Sequence, residues 1–221
     1  MNRSKRAKGR TRNRAAREAA LIRAAGKLFA SRGYEATTTR EIAASADCAE
    51  GLIHRYFKGK SGLLLALIRL QVSQEVVDLG TKLPLSANIE DEILQLVNFE
   101  VEHMWANREF LRVIIPRAIV DPTLGHVISR IGPAQRAKAI AARLRKYEES
   151  RVLPDLELEA LADSIGIVGF MYGFMRPVLL GHDRRRARDM AIAIAKLLSR
   201  NFCYDVTDNF SSRDHLAADP A

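Results

Sequence analysis

The stretch that decides the fold is LIRAAGKLFASRGYEATTTREIAASADCAEGLIHRYFKGKSGLL, residues 21–64. Its first part repeats apolar residues at helical spacing, with Ile22, Ala25 and Phe29 on one face. Gly33 follows the last apolar residue, where a left-handed C-terminal cap is expected. The pattern therefore predicts a first helix, over about residues 15–31.

A second helix is predicted after Thr38, because Thr38-Thr39-Arg40-Glu41 fits a capping box. In this motif the Thr38 hydroxyl accepts a hydrogen bond from the Glu41 amide, and the Glu41 carboxylate accepts one from the Thr38 amide. This helix covers about residues 39–45, and a turn at Ala46-Asp47-Cys48 separates it from a third helix over about residues 50–57. Two short helices joined by a tight turn are typical of a helix-turn-helix, although an ordinary surface hairpin has the same spacing.

The third helix has two chemically different faces. Its outward positions carry Glu50, Gly51, His54 and Arg55, whereas Ile53 and Phe57, four residues apart, face inward. A helix that reads DNA needs this arrangement, since its polar side enters a major groove about 12 Å wide and its apolar side packs behind.

Positive charge is concentrated at the N-terminal end. The first 60 residues hold 15 lysines and arginines against 5 acidic residues, whereas residues 61–221 hold 20 against 21. This indicates that only the first part binds a polyanion. Residues 1–14 lack apolar periodicity and are predicted to form a flexible basic arm, which either follows phosphates, enters a minor groove, or is only a solvated tail.

Beyond residue 60 the chain reads as a run of helices, with no alternating strand pattern. They are predicted over about residues 61–80, 89–104, 110–118, 155–180 and 184–200, with a further region at 123–151 interrupted at Gly132-Pro133. The predicted fold class is therefore all-α, with about nine helices.

At the landmarks of this pattern the sequence resembles the DNA-binding domain of tetracycline-repressor (TetR) type regulators. The resemblance covers about residues 14–70, and every landmark keeps its spacing: Ala24-Ala25 with Leu28-Phe29, Gly33-Tyr34, Thr37-Thr38, Ile42-Ala43, Gly51, and Tyr56-Phe57 with Lys60. The resemblance implies a three-helix DNA-binding domain over residues 15–60, with the motif at about 38–57. It also implies a helical ligand-binding and dimerisation domain over 61–202. The last residues turn polar, and 203–221 are predicted to form a disordered tail.

The resemblance also implies roles for matching residues. Thr38 and Thr39 would bind phosphate through hydroxyl and amide groups, as helix N-termini do. Arg40 would reach a phosphate or a guanine edge. Tyr56 and Lys60 would clamp the DNA backbone.

Several positions depart from the family pattern. Asp47 stands where glycine is usual, and aspartate tolerates left-handed backbone better than most residues. Ala49 offers no capping oxygen to the third helix, at a cost of about 1 kcal/mol. His54 replaces a tyrosine that commonly binds phosphate, and its imidazole can still donate a hydrogen bond. Leu52 replaces a small polar residue and could touch a thymine methyl.

The resemblance places a ligand cavity among the helices of the C-terminal body. Candidate lining residues are Phe99, His103, Met104, Trp105, Phe110, Phe170, Met171, Phe174 and Arg176. Methionine and aromatic side chains suit an adaptable apolar pocket, although for any single one of these residues plain core packing is the more common explanation. Gly166, Gly169 and Gly173 share one helix face and permit close approach of another helix. By the same resemblance, the last two helices form the homodimer interface.

Other chemistries find little support. Gly59-Lys60-Ser61 lacks the upstream glycine of a P-loop, the histidines have no metal-ligand spacing, and Cys48 and Cys203 read as free thiols in a reducing compartment. The apolar stretch 165–180 is interrupted by Arg176 and Pro177, so a core helix is favoured over a membrane span. No cofactor, metal or enzymatic activity is expected.

The predicted function is therefore a cytoplasmic, nucleoid-associated transcriptional regulator. It would bind a palindromic double-stranded DNA operator as a homodimer, with repression relieved by a small, largely apolar effector. Two alternatives stay open: a DNA-binding protein without sequence preference, and a small-molecule enzyme or binding protein whose basic end is incidental.

Overall fold

The computed structural model describes residues 3–148 and 153–200, and every regular element in these ranges is a helix. The elements are α1 (Arg3–Arg32), α2 (Thr39–Ser45), α3 (Gly51–Phe57), α4 (Lys60–Thr81), α5 (Ile89–Ala106), α6 (Arg108–Val120), α7 (Pro122–Ile131), α8 (Pro133–Leu144), α9 (Asp155–Phe170) and α10 (Arg184–Ser199). A π-helical segment, Met171–Leu179, continues α9. The all-α prediction is confirmed. The predicted tail 203–221 lies outside the described residues.

Two boundaries differ from the sequence prediction. Helix α1 begins at Arg3, so the expected flexible arm is helical where it is described, because arginine, lysine and alanine favour helix even without an apolar face. The predicted region 123–151 forms two helices that meet at Gly132 and Pro133, which gives ten α-helices in the described residues. Proline is well placed at a first helical position, since its missing N–H has no partner there.

The π segment explains how the apolar helix passes Pro177. Proline has no N–H for an α-helical hydrogen bond, and its ring clashes with the carbonyl four residues earlier. The segment adopts the wider π-helical geometry instead. The amide of Leu180 donates to the carbonyl of Met175, five residues back, at 3.0 Å. The predicted helix over 155–180 is thus continuous, with a changed pitch in its last part.

The chain divides into two compact units. The N-terminal unit comprises Met1–Leu83 and Ala106–Arg136, and the C-terminal unit comprises Pro84–Trp105 and Ala137–Ala221. The sequence placed a boundary near residue 60. The N-terminal unit extends further because Ile114 of α6 and Leu124 of α7 are buried in the same apolar core as helices α1 to α4.

The N-terminal core is built from the predicted inward faces. Leu21 and Phe29 of α1, Ile42 of α2, Ile53 of α3 and Leu63 of α4 are each at most 1% exposed. Burying a large aliphatic or aromatic side chain contributes about 1.5–3 kcal/mol, so these contacts hold the short helices α2 and α3, which would be unstable alone.

In the C-terminal unit, α9 and the π segment lie very close to α5. A β-carbon added at Gly169 would overlap Glu100, and one added at Gly173 would overlap the Val101 carbonyl and Met104, whereas Gly166 has open space around it. Two of the three glycines on this face therefore serve contact with α5 of the same chain.

A buried ion pair links α5 to α8 in the same unit. Glu92 is fully buried and accepts hydrogen bonds from the Arg143 guanidinium, the Tyr147 hydroxyl and the Ser86 amide. Burial raises the pKa of Glu92, but these donors outweigh it, so the pKa is lowered overall. Arg143 also donates to the Pro84 carbonyl, which ties the segment before α5 to α8.

By length and composition alone, Asp155–Leu179 could cross a membrane. In this structure 44% of the most apolar 18-residue stretch of this segment is buried inside the protein. A single apolar helix of this kind is also typical of a protein core.

Candidate nucleic-acid interface

The start of α2 has the predicted capping box. The Glu41 amide donates to the Thr38 hydroxyl oxygen at 3.2 Å, and the Thr38 amide donates to the Glu41 carboxylate at 2.9 Å. The Thr38 hydroxyl donates to the same carboxylate, also at 2.9 Å. These donors lower the pKa of Glu41. The helix N-terminus is therefore fixed in an exposed position, with its amides directed outward.

The turn between α2 and α3 contains the left-handed residue that the sequence indicated. Asp47 has φ 50°, the region that glycine adopts without strain and aspartate tolerates. The following amide, of Cys48, donates to the Ala43 carbonyl at 2.9 Å and closes the turn. This geometry sets the direction in which α3 leaves α2.

Helix α3 separates its faces as predicted. Glu50, Gly51, His54 and Arg55 are exposed, whereas Ile53 is fully buried. Leu52 is half-buried and packs against the core together with Phe57. No side chain caps α3 at its N-terminus, in line with the absence of a capping oxygen at Ala49.

A hydrogen bond between the two helices was not indicated by the sequence. The Thr39 hydroxyl donates to the Glu50 carboxylate at 2.6 Å, which joins the first residue of α2 to the residue before α3. Thr39 is half-buried, and the neighbouring Arg40 is exposed. The two helix N-termini are thus presented together on one polar surface, which we call the reading surface: Thr38, Thr39, Arg40, Glu50, Gly51, His54 and Arg55.

This part of the chain matches a family model. Residues 21–67 match the model described as bacterial regulatory proteins, tetR family. Over these residues the chain is similar to the tetR family of bacterial regulatory proteins. The matched residues run from α1 into α4, so they contain the whole helix-turn-helix.

Two curated relatives from Bacillus subtilis (strain 168) are similar to parts of this chain. YttP, described as a probable HTH-type transcriptional regulator, is 29% identical over 106 residues, which are 47% of this chain and 51% of YttP. YvkB, an uncharacterised HTH-type regulator, is 48% identical over 48 residues, 22% of this chain and 25% of YvkB. The alignments thus span about half the length of YttP and a quarter of YvkB.

Solved structures extend the likeness of fold along most of the chain. A TetR-family regulator from Mesorhizobium loti has a TM-score of 0.67 at 21% identity, over 86% of this chain and 96% of the other. FadR from Bacillus subtilis, solved in complex with stearoyl-CoA, has a TM-score of 0.64 at 16% identity, over 81% and 96%. At these identities the likeness concerns the fold.

Within the TetR-type domain, Lys60 is placed differently from the expected phosphate clamp. Its ammonium donates to the carbonyls of Tyr34 and Thr37, each at 3.0 Å, and lies 4.3 Å from the centre of the Tyr34 ring. A third, longer hydrogen bond reaches the Glu35 carbonyl at 3.5 Å. Since an ammonium has three donors, Lys60 holds the loop between α1 and α2 against α4.

Tyr56, the other expected clamp, is half-buried at the end of α3. The Arg14 guanidinium of α1 lies 5.0 Å from the centre of its ring, and the Arg55 guanidinium lies 6.0 Å away. The Arg14 contact brings the N-terminal half of α1 to the recognition helix. The sequence pattern did not indicate this contact.

The predicted ligand-pocket residues fall into both units. In the C-terminal unit, Phe99 stacks on His103 and Phe170 on Phe174, with ring centres 5.9 and 5.6 Å apart. Also in this unit, Met104 is buried, Met171 and Trp105 are half-buried, and the Arg176 guanidinium lies 4.8 Å from the Tyr172 ring. Phe110 instead packs against the N-terminal core, so it is not part of this group.

Proposed function

We propose that this chain is a sequence-specific transcriptional regulator that binds a palindromic operator as a homodimer and is released by a small molecule. The observation that carries the proposal is the reading surface, where Glu50, just before α3, and His54 and Arg55 of α3 are exposed. Ile53 of the same helix is fully buried behind them. A helix held in this way can enter a major groove without losing its own packing.

The chemistry of the reading surface suits both parts of duplex recognition. At the N-terminus of α2, the Arg40 guanidinium and the amides of the first turn would bind phosphates. The hydroxyls of Thr38 and Thr39 donate to Glu41 and Glu50 in this structure, so they would have to exchange these partners for phosphates. On α3, arginine can bind guanine and glutamate can accept from the cytosine amino group. In this proposal Lys60 supports DNA binding by holding the loop before α2 in place. Tyr56 supports it through its contact with the Arg14 guanidinium.

A palindromic operator requires two reading surfaces related by a two-fold axis. The last helices of the C-terminal unit carry large apolar side chains that are between 43% and 77% exposed: Leu156, Ile167, Leu179, Leu180, Met190 and Leu197. An apolar surface of this kind marks an association site. We therefore place the homodimer interface on α9, the π segment and α10.

The effector is proposed to bind in the C-terminal unit, beside the Phe99–His103 and Phe170–Phe174 stacks. These rings favour a largely apolar molecule, and Arg176 would pair with an acidic group on it. Binding would weaken DNA affinity by shifting α4, provided that the ligand has different affinities for the two states. Such a regulator needs no catalytic activity and would act in the cytoplasm, at the nucleoid.

The direct test is selection of the purified protein against random duplex DNA in about 150 mM salt, a concentration that suppresses weak phosphate binding. Recovery of an inverted repeat, with half-sites about one DNA turn apart or slightly more, would support the proposal. Binding that shows no enriched sequence and vanishes as salt rises would replace it with DNA binding that lacks sequence preference.

A further inference from the structure

The N-terminal part of α1 carries a charge pattern that is costly for an isolated helix. Between residues 3 and 14 there are seven lysines and arginines and no acidic residue. Cations near a helix N-terminus oppose the helix dipole, and like charges four residues apart, such as Arg6 with Arg10 and Arg10 with Arg14, repel each other. A polyanion beside this segment would remove both penalties.

The structure fixes which side of α1 is directed to the recognition helix. The Arg14 guanidinium lies 5.0 Å from the Tyr56 ring centre and is paired with Glu18 on its own helix at 2.7 Å. The Arg14 side chain nevertheless remains 60% exposed, so it can still approach a ligand. The face of α1 that contains Arg14 is therefore the face on the side of α3.

Helical register places further arginines on this face. Positions 3, 6, 10 and 14 are separated by three or four residues and share one side of a helix, whereas positions 5, 8 and 12 fall on the other side. The first set, which we call the arginine stripe, is Arg3, Arg6, Arg10 and Arg14. The second set is mixed: Lys5, Lys8 and Arg12.

We propose that the arginine stripe binds backbone phosphates of the duplex beside the half-site that α3 reads. Eleven residues of helix separate Arg14 from Arg3, which is about 16 Å, or about five base pairs along the DNA. A stripe made only of arginine fits this role, since a guanidinium binds phosphate through two parallel hydrogen bonds. This contact does not depend on the base sequence, and it lengthens the stretch of DNA that the protein covers beyond each half-site.

Duplex DNA is the favoured polyanion because the stripe continues the side of α1 that meets the helix-turn-helix. The inference uses the proposed function only to place α3 in a groove. RNA or an anionic membrane would require a surface unrelated to α3, so their preferential binding would count against the proposal.

The test compares two triple variants of the full chain that remove the same amount of charge. Arg3→Gln/Arg6→Gln/Arg10→Gln removes three stripe residues, and Lys5→Gln/Lys8→Gln/Arg12→Gln is the matched control. Affinity for a labelled random-sequence duplex of about 40 base pairs is measured by fluorescence anisotropy between about 50 and 300 mM salt. Random sequence keeps this test separate from recovery of an operator.

For the stripe variant we expect at least about tenfold weaker binding near 150 mM salt. The slope of the logarithm of the binding constant against the logarithm of the salt concentration should be smaller in magnitude by about 0.9 for each phosphate that is no longer neutralised. The control variant should stay within about threefold of the parent, because its positions face away from the duplex. Equal weakening in both variants, or no weakening in either, would overturn the proposal. So would preferential retention of an RNA duplex or anionic vesicles over the DNA.

A second pair of variants tests whether the stripe must be helical. Gly9→Pro keeps every charge but breaks the helix between Arg10 and Arg6, whereas Gly9→Ala favours helix. We expect Gly9→Pro to weaken binding in the same direction as the stripe variant, and Gly9→Ala to tighten it by up to about fivefold. Unchanged binding in Gly9→Pro would show that a flexible arm is sufficient and would contradict the helical stripe.

Discussion

The two compact units bury different chemistry. In the N-terminal unit Thr37 is the one buried polar residue among the described residues, and the charged residues Arg40, Glu50 and Arg55 are exposed. The C-terminal unit buries Glu92, Glu100 and Arg143 between its helices. Changes to the exposed side chains of His54 and Arg55 should therefore leave stability almost unaltered, whereas charge changes in the C-terminal core should affect folding first.

The largest expected effect comes from breaking the buried ion pair. Glu92→Gln removes the carboxylate charge that pairs with the buried Arg143 guanidinium, and we expect a loss of about 3–5 kcal/mol in the free energy of unfolding. The measurement is chemical denaturation. The double variant Glu92→Gln/Arg143→Met should recover part of this loss, since the buried guanidinium is removed together with the carboxylate charge. A single variant as stable as the parent would show that the two units do not differ in this way.

Close packing between α5 and α9 gives the next effect. Gly169→Ala would overlap Glu100, and we expect a loss of about 2–3 kcal/mol, typical of overpacking. Gly166→Ala, on the same helix but with open space around it, should be neutral or slightly stabilising. Thermal unfolding of both variants checks the pair, and equal melting temperatures would contradict the close approach.

Alkaline pH should affect the C-terminal unit through Tyr147. Burial and the hydrogen bond to Glu92 raise its pKa from 10.0 to about 12. Because the pKa of the folded state is raised, the associated stability is present below pH 10 and is lost as the pH rises towards 12. In denaturation curves across this range, Tyr147→Phe should lose less stability than the parent. Parallel losses would show that the hydroxyl is not held as described.

The smallest effect is expected at the turn of the helix-turn-helix. Asp47 has φ 50°, and Asp47→Gly should stabilise the protein by up to about 1 kcal/mol by relieving the left-handed strain. Asp47→Ala should be destabilising by a similar amount for the same reason. Differential scanning calorimetry distinguishes the two, and a stabilising alanine would contradict the assigned backbone geometry.

The N-terminal unit could be predicted in detail because its signals are local. The cap at Thr38, the left-handed turn at Asp47 and the inward position of Ile53 each depend on a few neighbouring residues. The contacts of Lys60 with the carbonyls of Tyr34 and Thr37 span more than twenty residues and could not be derived from spacing.

In the C-terminal unit the sequence predicted the helices but not what they bury. Glu92 and Glu100 occupy positions on α5 that continue the spacing of Ile89, Leu96 and Met104, so a charged residue on an apolar face was the available signal. Its partner Arg143 lies 51 residues away, and only the folded structure shows the pair. The helix face with Gly166, Gly169 and Gly173 was ambiguous in a similar way, because the spacing of the glycines does not reveal which helix packs against them.

The proposed function requires above all that exposed residues at α3 read the bases of a two-fold operator. The most direct test is to compare the DNA sequences selected by the parent with those selected by Glu50→Ala/His54→Ala, using Arg145→Ala in the C-terminal unit as a control. The proposed function predicts that the α3 variant keeps the half-site spacing but relaxes the preference at one or more bases in each half-site, while the control keeps the parent sequence. An unchanged sequence from the α3 variant would contradict it.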